Sequence, residues 1–254
     1  NNIGMACVSS VPLSYIFLRG QGIKIQSLVT KECSEKNIRI PTLANFVESD
    51  VDEGFEGAIV LEPEPGLYLE DPVSVLDYAS LYPNSIIEKN LSHETFICTQ
   101  KERDENPEKY GWINNIKGTY DTISYDDYKY QMKGKTLHKT KTDTQTTCYF
   151  VKKETKEGII PIILNHLLEQ RRNTRKLIKQ TNDENKKKVL DGLQLAYKVT
   201  ANSVYGQMGA KHSAITFKKI AACTTSIGRE RIYDAENGVK EWAKATGHHP
   251  PDVI

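Results

Sequence analysis

The chain has 254 residues, 38% of them apolar and 26% charged, which is ordinary for a soluble globular protein of one or two domains. No apolar run approaches the length of a membrane span, so we expect no membrane partner. The net charge of +1 does not by itself indicate a nucleic-acid partner, and five cysteines without paired spacing predict free thiols rather than disulfides or a zinc site.

The N-terminal part of the chain, residues 1–70, has a mixed pattern with several turns. Gly20 and Gly22 lack the third glycine of a dinucleotide-binding fingerprint, so they indicate only a turn. The short apolar runs between Glu53 and Glu70 are interrupted by prolines and a glycine. This pattern predicts strands that are joined by a tight turn.

The next segment, Val73–Leu76, is rich in β-forming residues and ends at Asp77. It predicts a carboxylate at the end of a strand. Residues 99–147 follow and are polar, rich in Tyr, Lys, Thr and Asp. Their weak pattern fits either an exposed insertion or a small strand subdomain.

The clearest helical pattern begins at Ile160, with Pro161 suited to the first turn and apolar residues at helical spacing after it. Thr181–Glu184 predicts a break and a capping box for a second helix, whose apolar stripe ends near Gly206. Two long helices joined by a short polar turn predict an antiparallel hairpin. The stretch 211–240 is predicted to be largely helical.

The segment Asp77–Pro83 has the composition of a small binding site. A carboxylate at a strand end, followed by a tight turn, can hold a hard metal ion against backbone oxygens and substrate phosphates. The main-chain amides from Ser80 to Tyr82 can face an anion. Many strands end in aspartate, however, so this segment alone indicates little.

The two predicted helices each carry a polar face. Arg171 and Arg175 lie one turn apart on the first helix, and their guanidinium groups suit bidentate contacts to phosphate. Lys198, Asn202 and Tyr205 share one face of the second helix, where a cation, an amide and an aromatic ring can contact a nucleotide. Taken alone, the arginine pair is better explained as an exposed pair on a surface helix. The second pattern also fits an ordinary polar helix face, because this spacing often arises by chance.

The order of these segments resembles that of the family B DNA polymerases. Asp77–Pro83, with the sequence DYASLYP, matches the first palm motif of that family, and Lys198–Gly206, KVTANSVYG, matches its fingers motif KxxxNSxYG. Leu167–Arg175 resembles the fingers helix ahead of that motif. Further likeness to delta-type members extends over nearly the whole chain, at Val11–Tyr15, Arg19–Gln21, Glu56–Ala58, Glu62–Pro63 and Ala222–Arg231.

The resemblance implies an α+β fold, in which a polymerase palm of antiparallel sheet and helices carries a helical-hairpin fingers subdomain. The third polymerase motif of the family, YGDTDS, is absent before Ile254, so we expect the isolated chain to be inactive. The implied division is a segment linking the exonuclease region to the palm (1–70), the first part of the palm (71–155) with a polar insertion at about 99–147, the fingers hairpin (156–206) and a palm continuation (207–254).

The resemblance also implies the reaction. The protein would be a DNA-directed DNA polymerase that adds deoxynucleotides to a primer 3′-hydroxyl by a two-metal mechanism in DNA replication. Its cofactors would be two Mg²⁺ ions, with Asp77 bridging both and the main-chain carbonyl of Tyr78 contacting one. The implied partners are primer–template DNA and deoxynucleoside triphosphates, with a sliding clamp as a further candidate.

The remaining site residues are implied by their places in the matched motifs. Tyr82 would lie beneath the sugar and exclude a 2′-hydroxyl, and Tyr205 and Gly206 would lie near the template and primer. The residues implied to bind the nucleotide are Ser80, Leu81, Tyr82, Arg171, Arg175, Lys198 and Asn202.

Two shorter segments resemble the polymerases of large double-stranded DNA viruses: Asn90–Thr95 and Thr146–Phe150. They imply an intracellular location, in the host nucleus or a cytoplasmic viral factory, although a cellular delta-type origin stays open. Asn84 stands where many family members have serine. Two other interpretations also stay open: a catalytically inactive polymerase-like scaffold that binds DNA, and a helical-hairpin protein with fortuitous motifs.

Overall fold

The computed structural model describes residues 2–39, 53–63, 65–69, 73–116, 118–133, 136–210 and 213–247. Within these ranges the chain combines α-helices with one antiparallel sheet, which confirms the predicted α+β class. No helix in the described part is long and apolar enough to cross a membrane. The helices are α1 (Asn2–Ser9), α2 (Leu13–Leu18), α3 (Gln21–Glu35), α4 (Leu81–Glu88), α5 (Gln100–Glu105), α6 (Pro107–Tyr110), α7 (Ile159–Gln180), α8 (Glu184–Gly209) and α9 (Lys218–Thr246), and the strands are β1 (Glu53–Phe55), β2 (Phe96–Thr99), β3 (Tyr120–Lys133) and β4 (Thr136–Val151).

The sheet has the strand order β1-β3-β4-β2, and all of its pairs are antiparallel. Its centre is the β3–β4 hairpin. Most of this hairpin lies in residues 99–147, for which the sequence allowed either an exposed insertion or a small strand subdomain. Near the base of the hairpin Ile123, Cys148 and Phe150 are buried, whereas the residues toward its tip are exposed. Threonine and tyrosine, which favour strands, are frequent in both strands, and the buried apolar residues are concentrated at the base of the hairpin.

The predicted antiparallel helical hairpin is present as α7 and α8. The apolar stripe of α7 is buried, including Ile160, Leu164 and Leu167. Because these apolar side chains lie on one face of the helix, the segment packs against the core as a helix. Asp183 caps α8, because its side chain accepts the main-chain N–H groups of Asn185 and Lys186.

The predicted end of the second helix was wrong. α8 does not end at Gly206 but continues to Gly209. Met208, in this additional turn, is fully buried in the core, and its carbonyl oxygen accepts the main-chain N–H of Phe217 at 2.7 Å. Burial and this hydrogen bond outweigh the weak helix propensity of one exposed glycine.

The predicted strand at Val73–Leu76 was also wrong. Residues 73–78 form no helix or strand, and the side chains of Val75 and Leu76 are 88% and 72% exposed. None of the described strands pairs with this segment. A β-rich sequence without a neighbouring strand has no ladder to join, so its propensity alone does not make it a strand.

The prediction of strands joined by a tight turn between Glu53 and Glu70 was wrong in the described part of that segment. Residues 53–69 contain only the short strand β1 in their described part, and no strand pair joined by a tight turn. Gly20 and Gly22 stand at the start of α3, where Gly20 is the N-cap. The final residues, 248–254, lie outside the described residues.

Candidate functional site

The segment Asp77–Pro83 leads into α4 through a tight turn. Ser80 has a left-handed backbone with a φ of 58°, and α4 begins at the next residue. The side-chain amide of Asn84 donates a hydrogen bond to the carbonyl oxygen of Ala79 at 2.6 Å. Asn84, the residue that departs from the common serine, therefore closes this turn. The hydroxyl of Tyr78 donates to the carbonyl oxygen of Arg231 on α9 at 3.0 Å.

Tyr82 lies between α8 and α9. Its ring packs against that of Tyr205, with centroids 4.6 Å apart and planes tilted by 46°. On its other side is Gly228, where a Cβ atom would come within 2.8 Å of the Tyr82 ring. Burial raises the pKa of both tyrosines, while the positive charge of Arg229 acts in the opposite direction. Tyr82 and Tyr205 thus join the two sequence motifs physically.

Arg229 is a part of this site that the sequence did not reveal. Its side chain is only 11% exposed and forms an ion pair with the carboxylate of Glu56 at 3.3 Å. Its Nη1 atom donates to the carbonyl oxygens of Glu56 and Gly57 at 3.0 and 2.9 Å, and Thr225 donates to the same Glu56 oxygen at 2.8 Å. One side of α9 therefore holds the segment after β1 beside the tyrosine pair.

One residue of this site, Gly228, could have been found from the sequence. Gly228 interrupts an otherwise helical pattern, and an isolated glycine inside a helix often marks a close approach of another group. For Arg229, by contrast, the sequence offered no signal, because its partners lie more than 170 residues away in the chain.

Asp77 is exposed, and it forms no hydrogen bond or ion pair with the described residues. Its carboxylate oxygens, together with the main-chain carbonyl of the neighbouring, exposed Tyr78, are the kind of oxygen ligands that Mg²⁺ takes. The described residues contain no group of three or more His, Cys, Asp or Glu side chains that could hold a metal ion. Asp77 and Tyr78 therefore fit part of a divalent-cation site.

The arginine pair lies on α7. Arg171 is half-buried, and its Nε atom donates to the side-chain oxygen of Gln194 on α8 at 3.3 Å, whereas Arg175 is exposed. Burial, and then the charge of Arg175, lower the pKa of Arg171. The mutual repulsion of two cations is relieved by an anion, so this pair suits a phosphate ligand.

The three residues that were predicted to share a face of α8 differ in exposure. The side chains of Lys198 and Asn202 are exposed and make no hydrogen bonds with the described residues, whereas Tyr205 is half-buried against Tyr82. Gly206 is exposed. No described hydrogen bond or ion pair joins Asp77 to the cationic residues of the helical hairpin. The contact between Tyr82 and Tyr205 connects the segment that contains Asp77 to the helical hairpin that carries the cationic residues.

The base of α7 is held by a buried asparagine. The side-chain oxygen of Asn90 accepts the main-chain N–H of Gly158, and its amide donates to the carbonyl oxygens of Val151 and Lys156, all at 2.8 Å. Asn90 is only 1% exposed. These bonds tie the loop after α4 to the loop that leads from β4 into α7.

Two further side chains complete this connection. The carboxylate of Glu94 accepts the N–H of Ile159, and the hydroxyl of Ser92 accepts that of Ile160 at 3.3 Å. These N–H groups have no partner inside the helix, and a carboxylate is favourable near the positive end of the helix dipole. A Cβ atom at Gly158 would lie 2.7 Å from that of Ser92, so glycine is needed there.

Comparison with known proteins gives one consistent result. The sequence model described as DNA polymerase family B matches residues 11–251. The chain is 41% identical to the DNA polymerase of Pyramimonas orientalis virus over 93% of its length, and 41% identical to that of Phaeocystis pouchetii virus over 92%. It is 35% identical over its whole length to the DNA polymerase delta catalytic subunit of Candida albicans.

A solved structure shares the fold. The family B DNA polymerase from the archaeon Pyrobaculum calidifontis superposes with a TM-score of 0.61 at 27% identity, and the match covers 97% of this chain and 27% of that one. The chain spans 22%, 23% and 21% of the two viral relatives and the Candida relative, respectively, which is about a fifth of their length.

Proposed function

Because this chain belongs to DNA polymerase family B, we propose that the protein that carries it is a DNA-directed DNA polymerase. It transfers deoxynucleotides to a primer 3′-hydroxyl under the direction of a template, in DNA replication. The observation that supports this most directly is the packing of Tyr82 on Tyr205, since it joins the first palm motif to the fingers motif in one site.

Asp77 and Tyr78 form the metal-binding part of the proposed site. Two Mg²⁺ ions, when bound, supply activation of the attacking oxygen and stabilisation of the leaving oxygens. The Asp77 carboxylate would hold both ions and the Tyr78 carbonyl one of them. The exposure of Asp77 and its freedom from described partners support this role.

The helical hairpin would bind the triphosphate. Arg171, Arg175 and Lys198 place positive charge on adjacent faces of α7 and α8, where they offset the negative charge that develops during phosphoryl transfer. Asn202 would help to position the nucleotide by hydrogen bonding. The lowered pKa of Arg171 supports the role, because a phosphate would relieve its repulsion with Arg175.

The turn before α4 would hold the sugar and the phosphates. The main-chain amides of Ser80 and Leu81 would face the triphosphate, and the ring of Tyr82 would exclude a 2′-hydroxyl. Tyr205 and Gly206 would lie near the templating base pair. The rigid packing of Tyr82 between Tyr205 and α9 supports a steric role, since a mobile ring would exclude little.

The location and partners follow from the same proposal. Primer–template DNA and deoxynucleoside triphosphates are the substrates, with a sliding clamp as a further partner. The protein would act inside a cell, in the host nucleus or a cytoplasmic viral factory. The 41% identity to two viral polymerases supports a viral source.

Primer extension by the full-length protein tests the proposal. Asp77→Asn should abolish extension while leaving binding of primer–template DNA in place. Asp143→Asn, at an exposed aspartate on β4, is the matched control and should extend at the wild-type rate. Wild-type protein that binds DNA but never extends a primer would instead favour the inactive DNA-binding scaffold.

A further inference from the structure

The β3–β4 hairpin is longer than the sheet to which it belongs. β1 pairs with β3 only over Asp127–Lys129, and β2 pairs with β4 only over Cys148–Phe150. Beyond β1, the described residues form a two-stranded ribbon whose pairing continues as far as Lys133 and Thr136. We call residues 128–133 and 136–142 the distal arm. Tyr128 and Lys129 in this arm still pair with β1, and the residues of β3 from Tyr130 onward pair only with β4. Because an isolated two-stranded ribbon is marginally stable, packing alone does not explain its length.

The charge of the distal arm differs sharply from that of the whole chain. Residues 128–133 and 136–142 contain four lysines and no aspartate or glutamate, although the whole chain has a net charge of only +1. The remaining residues therefore carry a net negative charge. Such a concentration of one sign creates a local field that attracts an oppositely charged partner.

The lysines with described side chains are largely open to that partner. The side chain of Lys129 is exposed, and the backbone of this residue pairs with Glu53 of β1 and Thr140 of β4. The side chain of Lys141 is 57% exposed and pairs with Asp126, a surface ion pair of the kind that contributes little stability. Lys139 is anchored, because it donates to the carbonyl oxygen of Phe55 and lies 4.7 Å from the ring of Tyr128.

The composition of the arm fits phosphate groups better than the carboxylates of a protein. Besides lysine it carries threonine, tyrosine, glutamine and histidine, whose side chains donate hydrogen bonds to phosphate oxygens in DNA complexes. Lys139 and Lys141 alternate along β4, so they project from the same face about 6.8 Å apart. Lys129 stands opposite Thr140 and therefore lies on the other face. Exposed cations on both faces of the arm complement the negative charges of a polyanion.

From these observations we propose that the distal arm binds the phosphate backbone of primer–template DNA. The proposal rests on the proposed polymerase function, which brings this polyanion to the protein. The arm uses none of the residues that were assigned to the nucleotide or the metal ions. It would therefore raise the affinity for DNA without taking part in nucleotide transfer.

The test is the salt dependence of DNA binding by the full-length protein, measured by fluorescence anisotropy with a labelled primer–template duplex. Each phosphate contact contributes about 0.9 to the slope of log K against log salt. Lys129→Gln and Lys141→Gln should each weaken binding at low salt and reduce the slope by up to about 0.9, and by about twice that when combined.

Lys101→Gln on α5 is the matched control, since it also removes an exposed lysine with one surface ion pair, and it should leave the slope unchanged. The arm variants should extend primers at the wild-type rate once DNA is saturating. An unchanged slope in the double variant overturns the arm proposal and leaves an acidic protein as the better partner. Failure of the wild-type protein to extend primers would instead contradict the proposed function, whatever the slopes.

Discussion

The ring of Tyr82 packs on the ring of Tyr205, with centroids 4.6 Å apart. Tyr82 lies in the first turn of α4 and Tyr205 in α8, so the contact fixes the distance between the two motifs. Gly228 on α9 completes the enclosure, because it leaves room for the edge of the Tyr82 ring. The position of this ring therefore depends on three separate segments of the chain.

Adding one methyl group at Gly228 should disturb this packing. A Cβ atom there would lie 2.8 Å from the Tyr82 ring, so Gly228→Ala should lower the free energy of unfolding by about 1–3 kcal/mol. Gly238→Ala, in the same helix but with open space around it, should instead raise it by about 0.5–1 kcal/mol. Urea unfolding of both variants measures the difference, and equal effects would contradict the close approach.

Replacing Tyr82 should relax the selection of the sugar. Tyr82→Ala removes the ring that is proposed to exclude a 2′-hydroxyl, so the preference for deoxynucleotides over ribonucleotides should fall by roughly tenfold or more. Tyr82→Phe keeps the ring and should keep the preference. Single-nucleotide extension gives kcat/KM for both sugars, and an unchanged ratio in the alanine variant would remove the steric role.

Removing the buried Asn90 side chain should destabilise the protein. Three hydrogen bonds at about 1 kcal/mol each are lost in Asn90→Ala, so the free energy of unfolding should fall by on the order of 3 kcal/mol. Asn173→Ala, at an exposed position of α7, should change it by less than about 0.5 kcal/mol. Chemical unfolding of the two variants provides the measurement; similar values would show that the Asn90 network contributes little.

Arg171 should affect nucleotide binding more than turnover. Loss of a charged hydrogen bond to phosphate costs about 1.5–3 kcal/mol, so Arg171→Ala should raise the nucleotide KM about 10- to 100-fold. The adjacent Arg172 is exposed and outside the predicted pair, and Arg172→Ala serves as the control. Steady-state kinetics at saturating DNA give the nucleotide KM of both variants. Equal nucleotide KM values for the Arg171→Ala and Arg172→Ala variants would show that the pair of Arg171 and Arg175 does not bind the nucleotide.

His93 should make the protein sensitive to mild acid. Its Nε2 atom lies 3.1 Å from the carbonyl oxygen of Ile215, its ring stacks on Phe217, and burial lowers its pKa below the ordinary 6.5. As the pH falls below 6.5, the unfolded chain binds a proton before the folded chain does, so the free energy of unfolding decreases.

The corresponding variant is His93→Gln, which keeps a hydrogen-bond donor but cannot titrate. Its free energy of unfolding should fall less than that of the wild type between neutral pH and the range below 6.5. His166→Gln, at an exposed histidine of α7, is the control. Identical pH profiles for the wild type and His93→Gln would contradict the prediction.

The sequence by itself determined the helical hairpin and both motifs. The stripe from Ile160 to Leu167 is a local signal, because side chains three or four residues apart meet on one helix face. The break at Thr181–Glu184 was predicted correctly, but the N-cap is Asp183 and the predicted capping box is not formed. The pattern of residues also sufficed to assign the family, which the comparisons confirmed. The roles of the individual site residues remain predictions.

The predictions that rested on local propensity alone were wrong where contacts distant in the chain decide the structure. The segment 73–76 has the residues of a strand, yet no described strand lies beside it. Gly206 has the residue type of a helix end, yet burial of Met208 carries α8 one turn further. Both outcomes depend on neighbours that are distant in the chain.

Only the tertiary structure revealed the enclosure of Tyr82, the ion pair and hydrogen bond of Arg229 with Glu56, and the hydrogen bond that Asn90 accepts from Gly158 directly before α7. In the last two cases the partners are separated by 173 and 68 residues, so no local spacing connects them. A buried polar group needs a partner from whichever segment folding brings close. Periodicity therefore identifies helices and motifs, whereas three-dimensional packing decides which motif residues are held together.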